Sequence, residues 1–133
     1  MPAKGARMIF GIGVDMVEVT RIESAQRRFG PRLARRLLAP EELQEYARSR
    51  RPSQFLAKRF AAKEALVKAL GTGIGRVLSW RAIRVAHDQK GRPYFDLGST
   101  SGYLLNQHQI SASHLSISDE RGYALAFVIL ERT

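Results

Sequence analysis

Ser53-Gln-Phe-Leu-Ala-Lys-Arg-Phe-Ala-Ala-Lys-Glu-Ala-Leu-Val-Lys-Ala-Leu70, followed directly by Gly71, is the stretch from which the rest of the chain can be placed. It is rich in Ala, Leu, Lys and Glu, the strong helix formers, and the glycine after it is suited to a left-handed C-cap. At 3.6 residues per turn Leu56, Phe60, Val67 and Leu70 fall on one arc, so the predicted helix turns that arc to a core. Arg59 and Lys63 project from within the same arc, where a buried charge needs a partner. Glu64 and Lys68 stand beside each other on another face with Ala57 and Ala61, small residues that let a chain segment or a ligand come close. A helix occupied on several sides belongs at the centre of a fold.

Upstream, Arg7-Met-Ile-Phe-Gly-Ile-Gly-Val-Asp15 alternates large apolar residues at Met8, Phe10, Ile12 and Val14 with small ones, the pattern of a buried strand ending near Asp15. Val17 to Phe29 follows as a helix stopped by Gly30-Pro31, and Arg32 to Leu38 adds a turn or two. Pro40-Glu41-Glu42 places proline and acids where a first helical turn favours them, opening a helix to about Arg50. Downstream of the Gly71-Thr-Gly-Ile-Gly75 loop, Leu78 to His87 and Arg92 to Leu97 are predicted strands around a turn at Asp88-Gln-Lys-Gly91. Ser99 or Thr100 caps a helix to about Gln109 with Leu104 and Leu105 inward, and His114 to Ser118 and Tyr123 to Leu130 flank Asp119-Glu-Arg-Gly122 as a hairpin. The predicted class is α+β, a mainly antiparallel sheet packed against the long central helix, in a single domain over residues 1–133.

Composition narrows the function without choosing it. No run approaches the roughly 20 apolar residues of a bilayer span, and the basic start leads straight into the first strand without a separate apolar leader. With no cysteine, disulfides and thiolate metal sites are excluded, and a cytoplasmic protein is expected. The net charge of +10 concentrates anions at the surface, which suits a nucleic acid, an acidic protein or a multiply charged phosphate ligand. Neither a zinc pattern nor an RNA-binding strand motif supports the first of these, although Phe10, Tyr94 and Phe95 are aromatics it could use.

Taken singly, the chemistry-bearing residues are ambiguous. Glu64 and Lys68 are spaced as a surface ion pair worth a few tenths of a kcal/mol, and equally as a carboxylate and cation sharing a metal and a phosphate. Asp15 suits a helix cap as well as a metal ligand. The Gly71 to Gly75 loop follows a helix C-terminus, so it is neither a P-loop nor a dinucleotide motif, though its glycines let backbone N–H groups approach a pyrophosphate. His114 opens a strand, and His87 and His108 have no ligand-like spacing. Arg21 and Arg28, seven apart, share one face of the first helix.

Together, Gly11-Ile-Gly-Val-Asp-Met-Val-Glu-Val-Thr-Arg-Ile22 and Phe55-Leu-Ala-Lys-Arg-Phe-Ala-Ala-Lys-Glu-Ala-Leu-Val-Lys-Ala-Leu-Gly-Thr-Gly-Ile-Gly75 resemble the signature segments of the holo-acyl-carrier-protein synthase family of 4′-phosphopantetheinyl transferases. The likeness continues through Lys90-Gly-Arg-Pro93 and His114-Leu-Ser-Ile-Ser118. It implies transfer of the phosphopantetheine arm from coenzyme A to a serine of apo acyl carrier protein, with release of adenosine 3′,5′-bisphosphate, in support of fatty acid biosynthesis. It also implies Mg²⁺ held by Asp15 and Glu64, Lys68 at the phosphates, and coenzyme contacts from Arg59, Gly71, Thr72, Gly73, His114 and Ser116. Family members are trimers with the site between subunits, so Gly91, Arg92 and Pro93 are expected to serve a neighbour. Arg21 and Arg28 are expected to meet the acidic carrier, and either Glu64 or a metal-bound water takes the serine proton. The sequence departs from the family pattern at Met16, Leu115 and Lys90 and carries a short basic extension before the first strand.

Overall fold

The structure is a computed structural model that describes residues 6–71 and 79–133, the side chains of residues 99–101 excepted. Strand β1 (Met8–Glu18) pairs with β5 (Tyr123–Arg132), which pairs in turn with β4 (Ile110–Glu120), giving the order β1-β5-β4. Strands β2 (Ile83–His87) and β3 (Pro93–Leu97) form a separate two-stranded ribbon. Every pairing is antiparallel, in agreement with the expected α+β class. The long helix α4 (Pro52–Leu70) lies across the three-stranded sheet, and helices α1 (Val19–Phe29), α2 (Pro31–Leu37) and α3 (Pro40–Ala47) precede it in sequence. A shorter helix, α5 (Ser99–Gln107), links β3 to β4.

Local chemistry explains the joints. Gly71 closes α4 in the left-handed conformation at φ 78°, with its N–H donating to the carbonyls of Val67 and Lys68. At the β4–β5 turn Arg121 and Gly122 both have positive φ, 47° and 83°, the geometry that matches the twist of paired strands. Helix α5 starts after Gly98 without a side-chain cap, so neither Ser99 nor Thr100 takes the expected capping position, and it ends at Gln107. Helix α3 stops at Ala47, short of Arg50, and β4 begins at Ile110, ahead of the expected His114. Before β2 the chain makes a single 3-10 turn at Trp80–Ala82, so the strand expected from Leu78 begins only at Ile83.

The first strand contains the largest correction. It runs three residues past Asp15, and the face it turns to α4 at its centre is the small one, Gly11 and Gly13. A Cβ at Gly11 would lie 1.9 Å from the carbonyl oxygen of Ala69, and one at Gly13 would lie 1.8 Å from that of Ala65. Only glycine lets β1 approach α4 so closely, and of the large residues expected inward only Phe10, beside the register shift between Ile9 and Gly11, packs on the core. The large residues Met8, Ile12, Val14 and Met16 face outward instead, 42%, 54%, 50% and 61% exposed. Leu125 and Phe127 of β5 extend this apolar outer face through the register pairs Met16–Leu125 and Val14–Phe127.

On another side of α4, the two cations of the apolar arc find their partner in Glu42. Its fully buried carboxylate accepts hydrogen bonds from Lys63 (2.5 Å), Arg59 (3.1 Å) and the backbone N–H groups of Ala39 (2.8 Å) and Val85 (3.1 Å). Lys63 also donates to the carbonyls of Leu37 and Trp80, and Arg59 donates to Val85 O and to Glu45. Burial pulls the Lys63 ammonium below its usual range, against the opposing pull of Glu42. Three charged side chains thus bind α2, α3, α4 and β2 together in the core.

Candidate active site

The close approach of β1 to α4 has a chemical consequence at the far end of the glycine pair. Asp15 lies on the same face of β1 as Gly11 and Gly13, and there it meets Lys68, whose ammonium donates to Asp15 Oδ1 at 2.9 Å and to the carbonyl of Val14 at 3.1 Å. Lys68 is therefore paired across elements, where spacing alone allowed an i,i+4 pair with Glu64. With Lys68 about half exposed, the pair is a weak stabiliser and serves to place charge.

Glu64 sits one helical turn before Lys68 on α4. Its carboxyl is held above the usual carboxylate range, first by burial and then by the negative charge of Asp15, with Lys68 pulling the other way. Two acids and one lysine thus share a site where the acids repel. Among the described residues no group of three or more His, Asp or Glu side chains is arranged for a metal ion. The donor set is the pair Asp15 and Glu64, whose hard carboxylate oxygens and mutual repulsion fit a Mg²⁺ ion completed by oxygens from outside the chain.

Asp15, Glu64 and Lys68 line one cleft of about 940 Å³. Helices α1 and α2 supply apolar walls, including Phe29 and Leu33, while Phe60 and Trp80 pack at ring centroids 5.3 Å apart. Arg21, Arg32 and Arg36 also line it, so the opening is cationic around an apolar interior.

A family model described as the 4′-phosphopantetheinyl transferase superfamily matches residues 11–128. The chain belongs to that superfamily. It is similar to the holo-[acyl-carrier-protein] synthase of Nitrosospira multiformis, 54% identical over 125 residues that cover 94% of this chain and all of that one. The crystal structure of the Neisseria meningitidis holo-[acyl-carrier-protein] synthase superposes with a TM-score of 0.89 at 46% identity, covering 92% of this chain and 98% of that one. A Bacillus anthracis holo-(acyl-carrier-protein) synthase, solved in complex with CoA (3′,5′-ADP), gives a TM-score of 0.78 at 37% identity over 95% and 99% of the two chains. The holo-acyl-carrier-protein synthase resemblance of the two signature segments is borne out over nearly the whole chain.

The transferase fold distributes the other expected residues unevenly. Arg59 lies in the buried network and stacks on Phe55 at 4.4 Å, away from the residues that line the cleft. Thr72 and Gly73 lie outside the described residues. Gly91, at φ 84°, turns the β2–β3 ribbon with Arg92 and Pro93, and Asp88 Oδ1 accepts from the N–H groups of Lys90 and Arg92. His114 and Ser116 pair with Ile129 and Phe127 on the outer face of the sheet, the face opposite Asp15. His114 Nε2 lies 2.6 Å from Glu131 Oε1.

Of the two α1 arginines expected to meet the carrier, only Arg21 lines the cleft. Arg28 stacks over the Phe29 ring at 5.1 Å and is not among the lining residues. Arg32 and Arg36 of α2, which sequence reasoning missed, take the place beside Arg21. Their i,i+4 spacing alongside Leu33 and Leu37 was the available signal.

Proposed function

We propose that this transferase moves the 4′-phosphopantetheine arm of coenzyme A onto a serine hydroxyl of apo acyl carrier protein within this cleft, leaving adenosine 3′,5′-bisphosphate. The reading rests on one observation above all: acids from separate elements, Asp15 and Glu64, converge on Lys68 in a cation-rimmed cleft. The serine oxygen attacks the β-phosphorus, a P–O bond forms, and the P–O bond to the bisphosphate breaks. Glu64, which lines the cleft beside Asp15 and Lys68, takes the serine proton. Lys68, held in place by Asp15 and Val14 O, stabilises the charge that grows on the departing bisphosphate. Asp15 and Glu64 would hold Mg²⁺, which when bound would neutralise charge on the pyrophosphate.

Arg21 and Arg28, with Arg32 and Arg36, receive the acidic carrier. Coenzyme contacts are assigned to Lys68, Gly71, Thr72 and Gly73 within one chain, whereas Arg59, expected to join them, is buried and engaged by Glu42, Glu45 and the carbonyl of Val85. The contacts from Gly91, Arg92, Pro93, His114 and Ser116 are assigned to a neighbouring copy, because the last two face away from their own Asp15. The apolar outer face of Ile12, Val14, Met16, Leu125 and Phe127 supports a homotrimer with sites between subunits. Cytoplasmic location and service to fatty acid biosynthesis complete the proposal, with residues 1–133 acting as one transferase domain. No helix among the described residues is long and apolar enough to cross a membrane.

Incubation with coenzyme A, Mg²⁺ and apo carrier is expected to release adenosine 3′,5′-bisphosphate. Salt-steep binding to RNA without any turnover of coenzyme A would favour a nucleic-acid module instead. Phe127→Glu is expected to convert the assembly to monomers in analytical ultracentrifugation and to abolish transfer; a fully active monomer would remove the shared-site part of the proposal.

A further inference from the structure

Lys63 is fully buried immediately before Glu64, and the transfer chemistry above makes no use of it. Its three donor directions are all occupied: Glu42 Oε1 at 2.5 Å, Leu37 O at 2.7 Å and Trp80 O at 3.0 Å. The last two acceptors matter for the cleft, because Leu37 closes α2, Trp80 opens the 3-10 turn, and both side chains line it. Leu37 and Trp80 belong to segments far apart in sequence. One ammonium at the centre of α4 fixes both relative to the helix that carries Glu64 and Lys68.

Glu42 is the counterpart that allows a full charge to stand there. It is itself held by Arg59 and two backbone N–H groups, so the ammonium is aimed as well as neutralised. A hydrophobic residue of similar length would fill the same space with no preference for where the two carbonyls sit. We infer that Lys63 is a positioning residue for the transfer, holding the Trp80 and Leu37 wall of the cleft at the distance from Glu64 and Lys68 that the coenzyme requires. The inference rests on the proposed reaction only for what the cleft receives; the placement of Trp80 is independent of it.

Trp80 is the only tryptophan in the chain, so its fluorescence reports on this wall alone. The test compares wild type, Lys63→Met and Glu45→Gln, measuring emission of the ligand-free proteins and the KM for coenzyme A and kcat with apo carrier. Glu45→Gln disturbs the same network through Arg59 without touching Trp80. In Lys63→Met the Trp80 emission is expected to shift and the KM for coenzyme A to rise at least tenfold, with kcat changed less than threefold. Glu45→Gln is expected to match wild type in both. A folded Lys63→Met protein with wild-type emission and coenzyme KM overturns the inference.

If Lys63→Met alone does not fold, Glu42→Gln/Lys63→Met removes both charges and is measured in its place, with the same expectations. Failure of both to fold also overturns the inference, since Lys63 would then serve stability alone. Should wild type itself show no coenzyme turnover, the proposed function fails, while the emission comparison still decides the placement of Trp80.

Discussion

Helix α4 carries two charge clusters with opposite characters. Around Glu42 one buried carboxylate meets two cations and two backbone donors, and the three ammonium donors of Lys63 are all used. Around Asp15 and Glu64 two acids share a single half-exposed lysine, and Glu64 gives up its proton less readily than an ordinary carboxyl. The first cluster is satisfied internally and serves architecture. In the second the two acids outnumber their lysine, which suits a cation, while Arg21, Arg32 and Arg36 of the same cleft suit a polyphosphate.

The sharpest way to break the comparison is Glu42→Ala, which strands Arg59 and Lys63 in the core. A loss of about 3–5 kcal/mol is expected in denaturant unfolding; a loss below about 1 kcal/mol would mean the buried network is not the satisfied structural cluster described above. Gly13→Ala comes next. Its new Cβ meets the Ala65 carbonyl at 1.8 Å, so β1 and α4 must separate, at a cost of about 1–3 kcal/mol or more. Because the same contact carries Asp15 to Lys68, transfer activity is expected to fall further than stability alone explains. An equally stable and active Gly13→Ala protein would show that the close approach is incidental.

These two variants also mark what the sequence could and could not reveal. The helix of Ser53 to Leu70, its Gly71 cap and the β4–β5 hairpin were legible because propensity, periodicity and turn chemistry agree there. The sidedness of β1 was not legible, because alternation does not say whether the large or the small residues face inward. That Arg59 and Lys63 need a buried partner followed from the helical wheel, but Glu42 lies 17 and 21 residues away and resembles an ordinary first-turn acid. Likewise Asp15, Glu64 and Lys68 were identifiable through motif resemblance, whereas their convergence is a tertiary fact. Arg32, Arg36 and Trp80 emerged as cleft residues only once α2 and the 3-10 turn were folded over α4.

Glu64→Gln gives the smallest stability effect and the opposite sign. Since the folded protein holds this proton more tightly than the unfolded chain, ionisation of Glu64 costs stability as pH rises through its raised pKa. Removing the charge is therefore expected to raise the melting temperature slightly at neutral pH in the metal-free protein. That advantage should vanish as pH falls below about 4.3, where a free glutamate is also protonated. A variant less stable than wild type at neutral pH would show that Glu64 belongs with the satisfied cluster.

The most direct measurement weighs apo acyl carrier protein by mass spectrometry after incubation with coenzyme A, Mg²⁺ and either wild-type or Glu64→Gln protein. A carrier heavier by one phosphopantetheine with wild type, and unmodified with a folded Glu64→Gln variant, is the predicted result. An unmodified carrier in both reactions, or equal modification by the two proteins, would contradict the account.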